Sequence, residues 1–172
     1  MDFFEVVETR RSIRAFTAKS IEPEKVQAIL ETANRAPSAG NLQAYEIYVV
    51  TRRAALRALA DAALGQQFVA QAPVVLVFCA NPALSSGKYG RRGISLYSIQ
   101  DGTIACTHAH LAATALGLAS IWVGAFDDDA VRRALGIGKE LFPIALLPIG
   151  DPAERPDATF RRPLASLAHY IS

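Results

Sequence analysis

Residues 9–16, TRRSIRAF, place three arginines and a serine within five consecutive positions near the start of the chain. Guanidinium groups and hydroxyls suit a phosphate dianion, and each charge-assisted hydrogen bond contributes about 1.5 to 3 kcal/mol when water is excluded. The candidate phosphate ligands in this segment are Arg10, Arg11, Ser12 and Arg14. A solvated basic surface explains a short arginine run equally well, so the spacing alone leaves both interpretations open.

A second basic pair, Arg161 and Arg162, lies near the other end of the chain. Each cluster taken alone is typical of a solvated surface. The phosphate hypothesis therefore predicts that the fold brings the two ends of the chain together.

Apart from these arginines, the sequence offers little reactive chemistry of its own. It contains no GxSxG elbow, HExxH motif, P-loop or GxGxxG dinucleotide fingerprint. His108 and His110 lie two residues apart on a predicted helix and face different sides, which is a poor arrangement for one metal ion. Cys79 and Cys106 lack CxxC or metal-ligand spacing and are interpreted as buried free thiols. No catalytic side chain and no metal ligand is assigned.

A phosphate anchor without a nucleophile, metal or general base indicates that a bound cofactor supplies the chemistry. A flavin fits that description. Its ring needs a flat slot and backbone donors and acceptors, which the small residues of PSAGN and the strand end IWVGAF could provide.

The elements that must position these residues are helices interleaved with a few strands, which predicts an α+β or α/β sandwich. Helices are predicted over about residues 2–10, 23–36, 56–63 and 96–116, and from Asp127 or Asp128 to Leu135. Strands are predicted at residues 45–50, 74–80, 120–124 and 144–150. The continuous apolar run of 74–80 predicts a strand buried on both faces. Pro148 predicts an edge position or a local break, because proline cannot donate to a ladder.

Three segments are predicted to be irregular. The composition of APSAGNLQAY, residues 36–45, indicates a loop. NPALSSGKYGRRG, residues 81–93, is polar and Gly-rich, which predicts a long mobile surface loop whose residues 88–93 cover a cleft. Residues 152–172 hold three prolines and are predicted to form an extended arm.

The predicted helix over 96–116 is rich in small residues, which allow close approach by another helix. These residues are Gly102, Ala105, Ala109, Ala112 and Ala113. Either a dimer contact or an ordinary core helix within one chain explains them.

The length and net charge of the chain limit its domain organisation and its partners. A chain of 172 residues is expected to form a single domain over 1–172, with the arm at about 152–172. A net charge of +2 provides no global field for nucleic acid or a membrane surface. The start of the chain lacks the pattern of a secretory signal, so a cytoplasmic location is expected.

The order and spacing of four segments resemble the FMN-dependent nitroreductases over nearly the whole chain. RRSIRAF resembles the family's opening phosphate-binding stretch, and APSAGNLQAY resembles its Pro-Ser-Ser-x-Asn-x-Gln-Pro-Trp loop. ALGLASIWVGAF is similar to the segment that lies along the flavin near N5, and FRRPLASLAHYI resembles the C-terminal stretch that returns to the phosphate. Two departures are Ala39 for the second serine of the loop, and Ala44 and Tyr45 for Pro-Trp, which predict a less rigid loop.

The resemblance implies a set of flavin-binding residues drawn from all four segments. The phosphate and ribityl group would be bound by Arg10, Arg11 and Ser12, with Arg161 and Arg162 from the arm. The pyrimidine edge would be approached by Arg14, which would also support the reduced ring electrostatically. The partner subunit would contribute Pro37, Ser38, Ala39 and Asn41, with Gln43 nearby. The ring near N5 would lie along the backbone of Trp122, Val123 and Gly124.

The resemblance also implies the fold and the reaction. The fold would be an α+β three-layer sandwich with a mainly antiparallel central sheet, assembled as a homodimer with FMN at the subunit interface. NADH or NADPH would reduce FMN, and a nitroaromatic, quinone or related acceptor would then be reduced through flavin N5 by a ping-pong mechanism. The alternatives are a flavin-binding or flavin-storing protein and a flavin-fragmenting or dehalogenating relative. A basic module for nucleic acid is disfavoured by the near-neutral charge.

Overall fold

A computed structural model describes residues 1–171, and its centre is a four-stranded sheet in which all paired strands are antiparallel. The strands are β1 (Tyr45–Val50), β2 (Val74–Ala80), β3 (Ala119–Ser120) and β4 (Phe142–Gly150). They lie side by side in the order β1, β2, β4, β3. The predicted bounds of β1 and β2 are confirmed, and every residue of β2 is buried.

Helices cover both faces of this sheet. They are α1 (Phe3–Thr9), α2 (Pro23–Asn34), α3 (Arg53–Ala62), α4 (Phe68–Gln71), α5 (Pro82–Arg92), α6 (Ser98–Ala115) and α7 (Asp128–Leu135). Val75 and Val77 of β2 belong to the core formed with α3 and α7. Leu76 and Phe78 belong to the opposite core, formed with α2 and α6. The α+β three-layer sandwich is therefore confirmed.

The central helix α6 packs within its own chain through its small residues. Gly102 lies against β4 so closely that a Cβ there would come within 2.4 Å of the Ile144 side chain. Ala105, Ala109 and Ala113 are fully buried in the same core. Ala112 is only partly buried. Packing within a single chain therefore explains most of the small residues of α6.

The prediction of a long loop over residues 81–93 is wrong, because these residues form α5 and lead into a π-helical turn at Gly93–Tyr97 and then into α6. Pro82 occupies the first turn, where it has no hydrogen bond to lose. Gly93 lies so close to Ser85 that a Cβ would meet the Ser85 carbonyl at 2.5 Å. Tertiary packing therefore outweighs the low helix propensity of the glycines.

The end of the sheet differs from the prediction in two ways. The strand predicted over 120–124 is limited to Ala119–Ser120, followed by an isolated bridge between Val123 and Leu146. Pro148 lies in an interior strand, paired with Val75 of β2, so the edge alternative is wrong. The Pro148 carbonyl accepts from the Ile121 N–H at 3.4 Å, and Ile121 is the residue that follows the end of β3. The proline nitrogen, which has no hydrogen to donate, therefore faces the side of β4 where regular pairing with β3 stops. The predicted local break is the alternative that holds.

Two features of the ends of the chain bear on assembly. Asp2 caps α1 through a capping box with Glu5, as its sequence suggests, but Phe3, Phe4 and Val7 of this helix are exposed. Over the residues described, the chain after β4 is extended apart from one turn at Leu164–Ser166. No helix within residues 1–171 has the length and apolarity needed to cross a bilayer.

Candidate functional site

The two ends of the chain meet beside β3. The Thr17 N–H donates to the Asp151 carbonyl at 3.0 Å, and the Ala153 N–H donates to the Ala15 carbonyl at 2.9 Å. The Glu154 carboxylate accepts from the backbone N–H of Arg14. The start of the arm therefore runs antiparallel to the segment that carries the first arginine cluster.

The same pairing brings Arg10 and Arg161 close enough for their charges to interact. Arg10 is half-buried, and its pKa is lowered first by that burial, then by the positive charge of Arg161 and then by that of Arg11. The fold thus brings Arg161 of the second cluster towards Arg10 and Arg11 of the first, as the phosphate hypothesis predicted. Arg162 differs, because its guanidinium donates to the Ser166 carbonyl at 3.0 Å within the arm.

These arginines have no acidic partner within the described chain. The ion pairs found over residues 1–171 involve Lys19, Lys25 and Arg132, and no carboxylate oxygen lies within 4.0 Å of a guanidinium nitrogen of the two basic clusters. A partly buried guanidinium surrounded by like charges is costly unless an anion balances it. The geometry therefore favours an anion site over a merely solvated surface.

A cavity of about 730 Å³ opens beside this cluster. Its polar lining includes Thr9, Arg11, Thr114, Ser120, Glu154 and Arg155. The volume lies within the range of roughly 300 to 1,000 Å³ that is usual for small-molecule sites. The arginines in this lining are Arg11 and Arg155, and the Glu154 carboxylate stands among them, so the charge of the lining is mixed.

Two buried polar groups beneath Arg10 lack a partner. Nε2 of His110 and Oγ of Ser120 make no hydrogen bond within the described residues, although the two side chains are only 7% and 2% exposed. Ser120 forms a parallel bridge with Ser12, and its carbonyl accepts from the Ile13 N–H at 3.3 Å. Sequence reasoning assigned no role to His110. The sequence signal that could have identified it is a titratable residue on the face of α6 that also carries Cys106 and Ala113, which lie in the core.

The pKa of His110 is lowered to about 4, first by burial and then by the Arg10 charge, while the Ser120 backbone acts in the opposite direction. The imidazole is therefore neutral near pH 7 when no anion is bound. Burial also raises the pKa of Cys79 to about 12 and that of Cys106 above its ordinary value, so both thiols are inert, as predicted.

The loop predicted to reach the flavin from the partner is held by Asp101 of α6. The Asp101 carboxylate is 2% exposed and accepts from the backbone N–H of Ala39 at 2.8 Å and of Ala44 at 3.4 Å. A buried carboxylate on the core side of an apolar helix is the signal that sequence reasoning missed. Ala44 is fully buried and Asp101 ties the loop down at both ends, so the looser loop expected from the substitution is not observed.

Hydrogen bonds within the loop also constrain its polar residues. Ser38 Oγ accepts from the Gln43 backbone N–H at 3.0 Å and from its side-chain amide at 3.1 Å, and that amide also donates to Asn41 at 2.7 Å. Asn41 and Gln43 have positive φ values of 58° and 43°. Non-glycine residues in this region cost of order 1 to 3 kcal/mol each, and such strain clusters at functional sites.

Within one chain, this loop and the arginine cluster line separate depressions. Pro37, Ser38 and Ala39 border a cavity of about 440 Å³ together with Tyr97, Gln100 and Asp101. Asp101 and His110 are nine residues apart on α6, which corresponds to about 14 Å along the helix axis. The chain therefore carries two separate depressions, one lined by Arg11 of the first cluster and one lined by the loop.

The predicted ring contacts at residues 122–124 receive mixed support. The Val123 N–H donates to the Leu146 carbonyl at 2.9 Å, and the Val123 carbonyl accepts from the Leu146 N–H at 3.0 Å. The N–H of Val123 is therefore not available to a ligand. Gly124 is exposed, Trp122 packs partly into the α2 and α6 core, and their flavin contacts stay predictions.

Comparison with known proteins identifies the family. The profile of the nitroreductase family matches residues 7–81 and 64–151, which includes the first arginine cluster, the loop held by Asp101 and the whole sheet. The chain belongs to the nitroreductase family. The arm after residue 151 lies outside the matched ranges.

Individual relatives agree with this assignment. The chain is 35% identical over 182 residues to a Thermus thermophilus NADH dehydrogenase, covering 90% of this chain and 89% of the relative. It is 28% identical over 179 residues to the Bacillus subtilis FMN reductase [NAD(P)H], covering 92% and 69%. The solved structure of NfrA2 from B. megaterium superposes with a TM-score of 0.91 at 26% identity, over 100% of this chain and 75% of that one.

Proposed function

We propose that this nitroreductase-family chain is an FMN-dependent oxidoreductase that uses NAD(P)H to reduce electron-poor acceptors such as nitroaromatics and quinones. The observation that carries the proposal is the approach of Arg161 to Arg10, from opposite ends of the chain, with no carboxylate oxygen of the described residues within 4.0 Å of either guanidinium group. Arg11 of the same cluster lines a cavity of about 730 Å³. A phosphate dianion would balance these charges. The Bacillus subtilis relative that is named an FMN reductase supports FMN as the molecule that carries this phosphate.

The residues present fit this cofactor. Arg10 and Arg161 would hold the phosphate, and Arg11 and Ser12 would contact the phosphate and the adjoining ribityl chain. Arg14 would place positive charge near the pyrimidine edge, where preorganised charge stabilises a ring that gains electrons. When bound, FMN supplies the exchange of electrons between NAD(P)H and the acceptor, so no side chain of the protein needs to act as an acid or a nucleophile.

A second copy of the chain would complete each site. One chain separates the arginine cluster from the loop that carries Ser38 and Asn41, whereas a homodimer would set the loop of one protomer against the cavity of the other. Exposed apolar groups support such a dimer. They are found on α1, at Phe3, Phe4 and Val7, and on the arm, at Phe160, Leu164, Leu167, Tyr170 and Ile171. Large exposed apolar surfaces on a folded chain mark association sites.

Flavin spectroscopy of the purified protein tests the proposal in two steps. We expect the protein to bind FMN and to lose its absorbance at the oxidised-flavin band under anaerobic NADH or NADPH. Addition of a nitroarene or a quinone should then restore that band over repeated cycles. Bleaching without reoxidation by any acceptor in a panel would identify a flavin store instead, and failure to bind FMN would overturn the proposal.

A further inference from the structure

Within the described chain, His110 is a buried histidine whose ring nitrogen Nε2 lacks a hydrogen-bond partner, and it lies near arginines that form no ion pair with a carboxylate. His110 is held on α6, where its own carbonyl accepts from the Thr114 hydroxyl at 3.2 Å. Its Nε2 and the neighbouring Ser120 Oγ are buried and unpartnered in the described chain. Buried polar atoms are almost always hydrogen-bonded, so these two unpartnered atoms require an explanation.

The charges around His110 determine how its protonation responds to an anion. Arg10 is the charged group that faces the ring, and Arg11 and Arg161 face Arg10 in turn. Ser120 of β3 and Thr114 of α6 are uncharged. The Glu154 carboxylate stands near this group of residues, because it lines the cavity of about 730 Å³ with Ser120 and Thr114. It accepts from the Arg14 backbone N–H but forms no ion pair within 4.0 Å with a guanidinium group of the two clusters. Because the Arg10 charge is not offset by an ion pair in the described chain, the proton on the second ring nitrogen is disfavoured until further negative charge arrives.

We infer that His110 is a positioning residue of the anion site, which takes up a proton from solvent when a phosphate dianion binds beside Arg10. The inference rests on the proposed binding of FMN. The imidazolium would add a positive charge beneath Arg10 that exists only in the loaded protein. Proton uptake and FMN binding would then be thermodynamically linked, so each strengthens the other.

FMN affinity as a function of pH tests this linkage. Dissociation constants are measured by fluorescence titration between about pH 7.5 and pH 5.5 for the wild type, His110→Leu and His110→Gln. We expect the ratio of the variant constant to the wild-type constant to grow by about threefold or more as the pH falls over this interval. The phosphate of FMN itself titrates near pH 6, but it does so equally for all three proteins and cancels in the ratio.

Two controls isolate the effect. Riboflavin has the ring without the phosphate, so its affinity ratio should not change with pH. His110→Gln keeps hydrogen-bonding capacity but cannot take up a proton, so a wild-type profile in this variant would overturn the inference.

The remaining outcomes are equally decisive. A buried water could satisfy Nε2 and Ser120 Oγ without any proton uptake, and FMN would then show one pH profile in the wild type and both variants. That result overturns the role of His110 and leaves the proposed function standing. Absence of FMN binding by the wild type at every pH would instead overturn the proposed function.

Discussion

Arg10 is the residue on which the anion site depends most directly. It is half-buried, it meets the charges of Arg11 and Arg161, and no acidic group in the described chain balances it. We expect Arg10→Ala to weaken FMN binding about ten- to hundredfold, because one charge-assisted hydrogen bond of about 1.5 to 3 kcal/mol is lost. Fluorescence titration of the apoprotein with FMN measures this change.

The matched control for Arg10 is Arg57→Ala, which removes an exposed arginine from α3. It should leave FMN affinity unchanged. Circular dichroism should show both variants folded, since Arg10 lies outside the apolar core. Equal affinity of Arg10→Ala and the wild type would contradict the assignment of the phosphate to this residue.

The buried His110 makes a separate prediction about stability. Its folded-state pKa is about 4, below the ordinary value of 6.5, so the unfolded chain binds one more proton than the folded chain between these pH values. The neutral, buried His110 contributes about 3 kcal/mol to the free energy of unfolding, and this contribution is fully present above pH 6.5. It should be lost as the pH drops from 6.5 towards 4. Urea unfolding of the apoprotein at pH 7 and pH 5 should show about 2 kcal/mol of this loss.

His110→Leu should show a smaller loss of stability over the same pH interval, because the buried proton site is gone. Other groups titrate in this range, so the comparison between the two proteins carries the test. If His108→Leu reduced the pH dependence as much as His110→Leu did, the effect would not belong to His110.

At the scale of elements, α5 contains two glycines whose replacement should have opposite effects. Gly90 has φ 52° and ψ −137°, a conformation that only glycine adopts readily, and Gly90→Ala should destabilise the protein by about 1 to 2 kcal/mol. Gly87 lies in the same helix with open space around its Cβ position, and Gly87→Ala should stabilise it by roughly 0.4 to 1 kcal/mol. Urea unfolding of the two variants should give shifts of opposite sign. Shifts of the same sign would contradict the helical assignment of α5.

Elements with a clear local signal were predictable from the sequence. α7 begins after Asp127, whose side chain accepts from the Ala130 N–H at 2.6 Å, and ends at Gly136 in the left-handed region. α5 was not predictable in the same way, because its glycines disfavour a helix locally and its stability comes from contacts with distant residues. One such contact joins α5 to Gly40, where a Cβ would come within 2.5 Å of the Tyr89 hydroxyl.

At the scale of the whole molecule, the dimer is the most direct prediction. An apolar groove of about 560 Å³ between α1, α2 and α6 is lined by Phe3, Leu111 and Ala112 among others. We expect the wild type to sediment at twice the chain mass of 18.5 kDa, since the proposed dimer would cover this surface with a second copy. Leu111→Asp should shift the protein to the monomer and weaken FMN binding, because a buried charge opposes association.

Leu64→Asp is the control for this substitution. Leu64 is 73% exposed on a turn far along the chain from the groove, so its replacement should leave the sedimentation mass unchanged. A wild-type protein that sediments as a monomer at micromolar concentration would contradict the dimer. A dimer retained in Leu111→Asp would contradict the placement of the interface.

The candidate site was only partly predictable from the sequence. Short motifs identify residues that act through their own segment, such as Arg10 or Ser38. Asp101 and His110 act on segments distant in sequence, and the hydrogen bond from Ala39 to Asp101 spans 62 residues. Positions of this kind become visible only when the fold shows which segment each side chain faces.

The joining of the first arginine segment to the arm constrains the order of events during translation. The contact between Arg14 and Glu154 spans 140 residues, and Arg161 comes later still. Because synthesis proceeds from the amino terminus, a ribosome-bound chain lacks Arg161, one side of the proposed phosphate anchor, until the arm has been synthesised. Under the proposed function, FMN binding would therefore follow synthesis of the arm, and a product terminated before Arg161 would lack that side of the anchor.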